Sequence, residues 1–169
     1  MPDSSQADRS LFSLAQIQHL IRVEFNRAQR YGYPLCCMMI AVDRLGHLRD
    51  LYGYESKESI LDSVVDLLKR ETRVSDFLGR LADDRLLAVV PHTGPDGGWI
   101  LAERLVQSCH GLSFQSDGRQ IAVTLSIGVA YSDGNEVMFF DALLGASEDA
   151  LQAATTGGGD RAEMLPVGS

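Results

Sequence analysis

The chain of 169 residues has a hydrophobic content of 45%, which is enough to bury one full core, and no second core is needed. Its formal net charge of −8 excludes a general binder of nucleic acid or anionic membranes, because such proteins gain most of their affinity from a basic surface. We therefore expect one domain over residues 11–165, with loose polar tails at residues 1–10 and 166–169.

The first half of the chain predicts a helix followed by a buried strand. Apolar residues recur at three- and four-residue steps from Leu14 to Ala28, which predicts a helix that ends near Gly32. The apolar run Leu35–Val42 is short and continuous, which is typical of a central strand covered on both faces.

A second helix and a hairpin are expected next. Residues 44–55 are polar and broken by glycines, and the apolar spacing of residues 60–68 predicts an amphipathic helix with Ser56 as its N-cap. Two short apolar runs, Phe77-Leu78 and residues 86–90, then flank a charged tip, which is the pattern of a buried β-hairpin whose turn points at solvent or at a ligand.

The second half of the chain predicts a further helix, two strands around a turn, and a last helix before an edge strand. The expected elements are a turn-rich loop at residues 93–98, a helix at 99–109, strands at 112–115 and 121–131, a helix at 139–154 and an edge strand at 162–165. The resulting order is a βαββαβ core with additions, an α+β fold in which helices cover a mostly antiparallel sheet.

Cysteine usage and hydropathy predict a cytoplasmic protein. Cys36, Cys37 and Cys109 form an odd set without metal-ligand spacing and are interpreted as buried free thiols in a reducing compartment. The sequence holds neither a long apolar run nor a basic-then-apolar leader, so we expect a soluble, unexported chain without membrane insertion.

Several strings at fixed spacing carry a family resemblance. They run from Glu24-Phe25-Asn26-Arg27 through Pro34-Leu35 and the hairpin to Ala102-Glu103-Arg104 and Thr124-Leu125-Ser126-Ile127-Gly128. Together with the order of elements, these strings are similar to the GGDEF domain of diguanylate cyclases, which condense two GTP molecules into cyclic di-GMP. The resemblance covers most of the chain and implies the nucleotidyl-cyclase-like form of the α+β fold.

In the family this chain resembles, the hairpin tip carries the catalytic Gly-Gly-Asp-Glu-Phe string, and the matching residues here are Ala82-Asp83-Asp84-Arg85-Leu86. That chemistry needs glycines, so that backbone approaches the triphosphate, and a carboxylate that holds Mg²⁺. Ala82 adds a Cβ, Asp83 adds negative charge facing phosphate, and Arg85 replaces the metal-binding glutamate. The resemblance thus implies a degenerate site without catalytic residues, bound metal or cofactor.

Other positions of the implied GTP site are altered as well. Ala41 matches a second metal-binding aspartate at the end of the first strand, while Asp43 matches a supporting aspartate and is retained. The remaining replacements are Arg49 and Glu58, at the guanine-recognising pair, and Thr155 and Gly159, at a phosphate-contacting lysine and arginine.

One motif of the family is intact. Arg73-Val74-Ser75-Asp76 stands at the offset of the Arg-x-x-Asp inhibitory site, which in the family binds cyclic di-GMP on the side away from the catalytic face. Arginine can meet a phosphate with a paired fork of hydrogen bonds, and aspartate can accept from guanine N1 and N2. The implied ligand residues are Arg73 and Asp76, with Arg104 as a second arginine from the same or a neighbouring domain. As an isolated string, Arg-x-x-Asp also fits a surface ion pair.

Three functions follow from these patterns. The first is a catalytically silent receptor for cyclic di-GMP that regulates an unidentified partner protein. The second is a ligand-independent docking module, and the third is a residual cyclase. Trp99 and the Phe139-Phe140 pair are interpreted as core or as a homodimer face.

Overall fold

The computed structural model describes residues 12–133 and 139–165. Its elements, in chain order, are α1 (Leu14–Tyr31), β1 (Leu35–Val42), α2 (Leu45–Tyr52), α3 (Tyr54–Glu71), β2 (Phe77–Arg80), β3 (Leu86–Pro91), α4 (Pro95–His110), β4 (Phe114–Ser116), β5 (Arg119–Ile121), β6 (Leu125–Ser132), α5 (Phe140–Thr156) and β7 (Arg161–Met164). The predicted tails at residues 1–10 and 166–169 lie outside the described residues.

Five strands form the central sheet in the order β2-β3-β1-β6-β7, and β4 pairs with β5 in a separate two-stranded sheet. The pairs β2–β3, β1–β3 and β1–β6 are antiparallel, whereas β7 runs parallel to β6. Helices cover both faces of the central sheet. The predicted α+β class with a mostly antiparallel sheet is confirmed.

The alternation of side chains along β1 divides the interior into two clusters. Met38 and Ile40 point into a cluster that β1 shares with α3 and α4. Cys37 and Met39 point into a second cluster, which is covered by α1 and α5. Because both faces of β1 are buried, each of its two faces must be apolar. The continuous apolar run predicted from the sequence supplies side chains to both clusters.

The first helix has the ends that its sequence predicts. Ser13 caps α1 through a capping box with Gln16, and Gly32 follows the helix with a φ of 72°. The inward-facing residues Ile17, Ile21 and Phe25 are all buried. The three cysteines are free and buried, as predicted, and burial raises the pKa of Cys109 to about 11.

Two helices begin differently from the prediction. Ser56 does not cap α3, which starts two residues earlier at Tyr54 with Gly53 in the N-cap position. Residues 93–98 were predicted as a loop, but α4 begins inside them at Pro95. Proline suits the first turn of a helix because its fixed φ is helical and because the backbone amide hydrogen that it lacks would have no partner within the helix.

The strand predicted at residues 121–131 is wrong in its extent. It is divided into β5, which pairs with β4, and β6, which belongs to the central sheet. The polar residues that follow β1 also form a short helix, α2, and Gly145 does not interrupt α5. Within the described residues, no helix is long and apolar enough to cross a membrane.

The close contact between β6 and α5 gives a stability prediction. A Cβ at Gly128 would lie 2.1 Å from the carbonyl oxygen of Ser147 and 2.2 Å from the amide nitrogen of Leu151. We expect Gly128→Ala to lower the free energy of unfolding by about 3 kcal/mol, since backbone must move to make room. Urea denaturation measures the loss.

Gly145→Ala is the matched control for this substitution. Gly145 lies within α5, where an added Cβ meets no atom within 4 Å. We expect a gain of about 1 kcal/mol from the higher helix propensity of alanine. Equal urea midpoints for Gly128→Ala and wild type would contradict the packing described here.

Candidate functional site

The two ends of the β2–β3 hairpin lie at opposite ends of the central sheet. The register pairs Ile40 with Leu86 and Leu35 with Pro91. The turn at residues 81–85 therefore lies at the carboxyl end of β1, and the open end of the hairpin lies about 17 Å away, at the amino end. We call these places the tip and the open end.

Four charged residues form a connected network at the tip. Lys57 Nζ lies 2.8 Å from Asp84 Oδ2, and Arg80 Nη2 lies 2.6 Å from Asp84 Oδ1. Arg80 also donates to both carboxylate oxygens of Glu58, at 3.1 and 3.0 Å. The two cations and two carboxylates balance one another in charge, and all four side chains are mostly covered.

The network changes the protonation equilibria of its members. The hydrogen bonds from Arg80 lower the pKa of Glu58. Desolvation works to raise the pKa of Asp84, but hydrogen bonds from Lys57 and Arg80 outweigh it and leave that pKa below its usual value. Both carboxyl groups are therefore held ionised, with their oxygens directed at internal cations.

The rest of the tip is also internally bonded. Arg85 Nε lies 2.7 Å from Asp83 Oδ2, while the Arg85 carbonyl accepts from the Leu81 amide at 2.8 Å. Asp84 occupies the left-handed region with a φ of 69°. Ala82 is exposed, and Leu86 is buried as the first residue of β3.

Asp43 lies just beyond the end of β1 and accepts three hydrogen bonds. Its donors are Thr124 Oγ1 and Ser126 Oγ, each at 2.6 Å, and the amide of Asp160 at 2.9 Å. Ala41, two residues earlier, is packed against the α1–α5 cluster. Within the described residues, no group of three or more His, Cys, Asp or Glu side chains is arranged to hold a metal ion.

Arg73 and Asp76 meet at the open end. Asp76 Oδ2 accepts from the backbone amide of Arg73 at 2.8 Å, and Asp76 Oδ1 lies 3.4 Å from Arg73 Nη2. The same Nη2 donates to the carbonyl of Pro91 at 2.6 Å and to Thr93 Oγ1 at 3.0 Å. The Arg73 side chain is 55% exposed and that of Asp76 only 1%.

Arg104 lies on α4 and is bonded to the end of α3. Its Nε is 2.8 Å from Glu71 Oε2, and its Nη2 donates to the Glu71 carbonyl at 3.1 Å. Because Glu71 is two residues before Arg73, this ion pair brings the second predicted arginine to the same part of the surface. Half of the Arg104 side chain is exposed.

The sequence did not predict the tip network. Lys57 lies on α3 and meets Asp84 only through tertiary folding, so no local pattern could indicate the pair. The four-residue spacing of Arg80 and Asp84 was available as a signal of an ion pair. Thr124, Ser126 and Asp160, the donors to Asp43, were not predicted either.

Comparison with known proteins indicates the family. A family model described as the GGDEF domain of diguanylate cyclase matches residues 10–161. The chain is 32% identical over 146 residues to diguanylate cyclase DgcM of Escherichia coli, covering 86% of this chain and 32% of DgcM. It is 25% identical over 150 residues to diguanylate cyclase DgcP of Pseudomonas aeruginosa, covering 89% of this chain and 22% of DgcP. The chain thus spans no more than a third of these curated relatives.

Solved structures share the fold. The active GGEEF domain of a diguanylate cyclase from Vibrio cholerae has a TM-score of 0.84 at 22% identity, over 92% of this chain and 97% of that one. The GGDEF domain of DgcB from Caulobacter crescentus, in complex with cyclic di-GMP, has a TM-score of 0.85 at 16% identity, over 91% of each chain.

The tip network gives a prediction about pH. A carboxyl group with a lowered pKa in the folded state stabilises the fold above its unfolded pKa of about 4, and this contribution is lost as pH falls through the folded value. We expect Asp84→Asn to be less stable than wild type by about 1 kcal/mol at neutral pH. Urea denaturation across a pH series should show the difference vanishing in acid.

Asp50→Asn is a matched control, because the Asp50 side chain is 70% exposed and pairs only with its neighbour Arg49 in the described contacts. We expect it to match wild type at every pH. A stability difference for Asp84→Asn that stays constant from neutral to acidic pH would contradict the assigned network.

Proposed function

The chain belongs to the GGDEF domain family of diguanylate cyclases, and from this premise we propose that it is a catalytically inactive member that binds cyclic di-GMP and regulates a partner protein. The observation that carries the proposal is the contrast between the two ends of the hairpin. At the tip, Lys57, Glu58, Arg80 and Asp84 pair with one another and are mostly covered. At the open end, Arg73 and Arg104 are also ion paired, but half or more of each arginine side chain is exposed.

Inactivity is supported by the side chains at the tip. Phosphoryl transfer by this family requires a divalent cation held by carboxylates. Ala41 has no carboxylate, and Arg85 places a cation where the family has a glutamate. Asp43 already accepts hydrogen bonds from three donors within the protein. At about 4 Å, each unit of unfavourable charge costs roughly 4 kcal/mol at an effective dielectric near 20. The residues present do not fit Mg²⁺.

Access for GTP is restricted by other residues at and near the tip. A triphosphate approaching the tip would meet the Asp83 carboxylate and the Cβ of Ala82, where the family has glycines. At the guanine-recognising positions, Glu58 is engaged with Arg80 and Arg49 with Asp50. We propose that these changes together remove substrate binding as well as metal binding.

Ligand binding is supported by the geometry of Arg73. Bonds to Pro91 and Thr93 hold its guanidinium in place while more than half of the side chain stays open to solvent. A fixed guanidinium suits a phosphate oxygen or the plane of a guanine base. The DgcB domain, which shares the fold, is described in complex with cyclic di-GMP.

The burial of Asp76 refines its proposed role. In this conformation its carboxylate lies beneath the surface and accepts from the amide and guanidinium of Arg73. We propose that Asp76 positions Arg73, and that a direct bond from guanine to Asp76 would require this loop to open. Arg104 is the proposed second cation, since it is half exposed and anchored beside the same loop.

The docking-module function is favoured by a different feature. A cleft of about 640 Å³ lies between the start of α4 and β7, lined by Pro95, Asp96, Trp99, Ile100, Glu163 and Met164. Ile100 is 62% exposed although it is large and apolar. Such a cleft beside an edge strand is a suitable place for the regulated partner to bind.

The first prediction of this proposal concerns activity. The purified domain, incubated with GTP and either Mg²⁺ or Mn²⁺, is expected to form no cyclic di-GMP, because the carboxylate pair that holds the metal is absent. Product is measured by chromatography and mass spectrometry, with an active GGDEF domain as the positive control. Formation of cyclic di-GMP in proportion to the concentration of the domain would contradict inactivity and would support the third function, a residual cyclase.

The second prediction concerns binding. Isothermal titration is expected to show cyclic di-GMP binding that Arg73→Ala weakens at least tenfold, the loss of one charge-assisted contact of about 1.5 to 3 kcal/mol. Arg22→Ala is the control, since Arg22 is a comparably exposed arginine on α1 that pairs with Asp141. Absence of binding by wild type, or equal affinities for wild type and Arg73→Ala, would favour the docking module.

A further inference from the structure

Two stacked rings lie at the open end, where Arg73 also lies. The imidazole of His92 and the phenol of Tyr33 have centroids 3.9 Å apart and planes inclined by 25°. His92 stands between Pro91 and Thr93, the two residues whose oxygens accept hydrogen bonds from Arg73. The residue that carries the stack therefore lies between the two residues that hold the guanidinium.

The His92 ring does not follow the alternation of side chains along β3. Val90 points into the α3–α4 cluster, and a regular strand would direct residue 92 the same way. His92 instead has a φ of 57°, and its amide donates to the Pro34 carbonyl at 2.8 Å. The ring lies on Tyr33, which packs against the opposite cluster. A left-handed histidine is uncommon and requires tertiary contacts that hold it in place.

The Tyr33 ring is itself fixed. Its hydroxyl donates to Glu24 Oε1 at 2.5 Å, and Glu24 is buried. Burial, together with the Glu24 carboxylate, raises the pKa of Tyr33 to about 12, so the phenol keeps the proton that it donates. The Tyr33 ring therefore supports one face of the His92 ring, and His92 is exposed at the surface.

We infer that the Tyr33–His92 stack is a base-stacking platform for the ligand that Arg73 holds. This inference rests on the proposed receptor function and adds a subsite to it. The ligand class is an anionic nucleotide: its phosphate meets the Arg73 guanidinium, and one of its guanine bases stacks on the exposed side of His92. Aromatic side chains bind bases in this way because every base has a π-face.

The test uses substitutions that separate the ring from the backbone. His92→Asn removes the ring, and asparagine tolerates the left-handed conformation, so the fold should be retained. His92→Phe keeps a flat ring, and His47→Asn is the matched control at an exposed histidine of α2. Thermal unfolding of each variant verifies that it is folded before binding is measured.

Isothermal titration with cyclic di-GMP gives the readout. We expect His92→Asn to bind at least fivefold more weakly than wild type, and His92→Phe and His47→Asn to bind within about twofold of it. Loss of guanine absorbance on binding should accompany stacking in wild type and His92→Phe and should diminish in His92→Asn.

The outcomes separate the two proposals. If Arg73→Ala weakens binding while folded His92→Asn binds as wild type does, the platform is wrong and the receptor function stands. If wild type binds no cyclic di-GMP, the receptor function fails and the platform fails with it. If His92→Phe binds as weakly as His92→Asn, the contribution of His92 is not stacking, and the platform is also wrong.

Discussion

Strand β1 is the constraint on which the rest of the structure depends. Both of its faces are buried and both of its edges are hydrogen bonded, so its alternate side chains must satisfy two separate clusters. Helices close over each face, which leaves the two ends of the strand as the places where loops and polar side chains emerge. Asp43 and the hairpin tip lie at one end, while Tyr33 and the open end of the hairpin lie at the other. The two sites are thus separated by the length of the strand that supports them both.

Electrostatics distinguishes these two ends. At the tip, Asp84 and Glu58 are directed at Lys57 and Arg80, so each carboxylate already has a cationic partner. A phosphate or a metal ion arriving there would have to displace one member of a closed network, which leaves a partly buried charge without its partner. At the open end, the carboxylate of Asp76 is buried and the guanidinium of Arg73 is outermost. The cationic member of this ion pair is therefore the one at the surface, in a protein whose net charge is −8.

The sequence was informative wherever a local pattern coincided with a structural requirement. The spacing of Ile17, Ile21 and Phe25 predicted α1, because a helix buries one face every three to four residues. The pairing of Arg73 with Asp76 was available from their spacing and family position. The sequence was less informative where one local pattern is compatible with two structures. Alternation continues from Ile121 toward β6, yet the chain leaves one sheet and enters another. Short apolar segments do not specify which sheet they join, since that choice depends on partners distant in sequence.

The sequence by itself determined the fold class, which follows from periodicity, and the resemblance to the family, which follows from residue identities at fixed spacing. Tertiary structure alone decided how the charges are used. It brought Lys57 to Asp84 and laid His92 on Tyr33, and neither contact joins residues that a local pattern would pair. It also decided that Asp76, whose pairing with Arg73 the spacing indicated, is buried while Arg73 stays exposed. The physical reason is that hydrogen bonds, ion pairs and ring contacts act only over a few ångströms. Whether a charged or aromatic residue is internally satisfied or presented to a ligand therefore depends on the packing of elements distant in sequence.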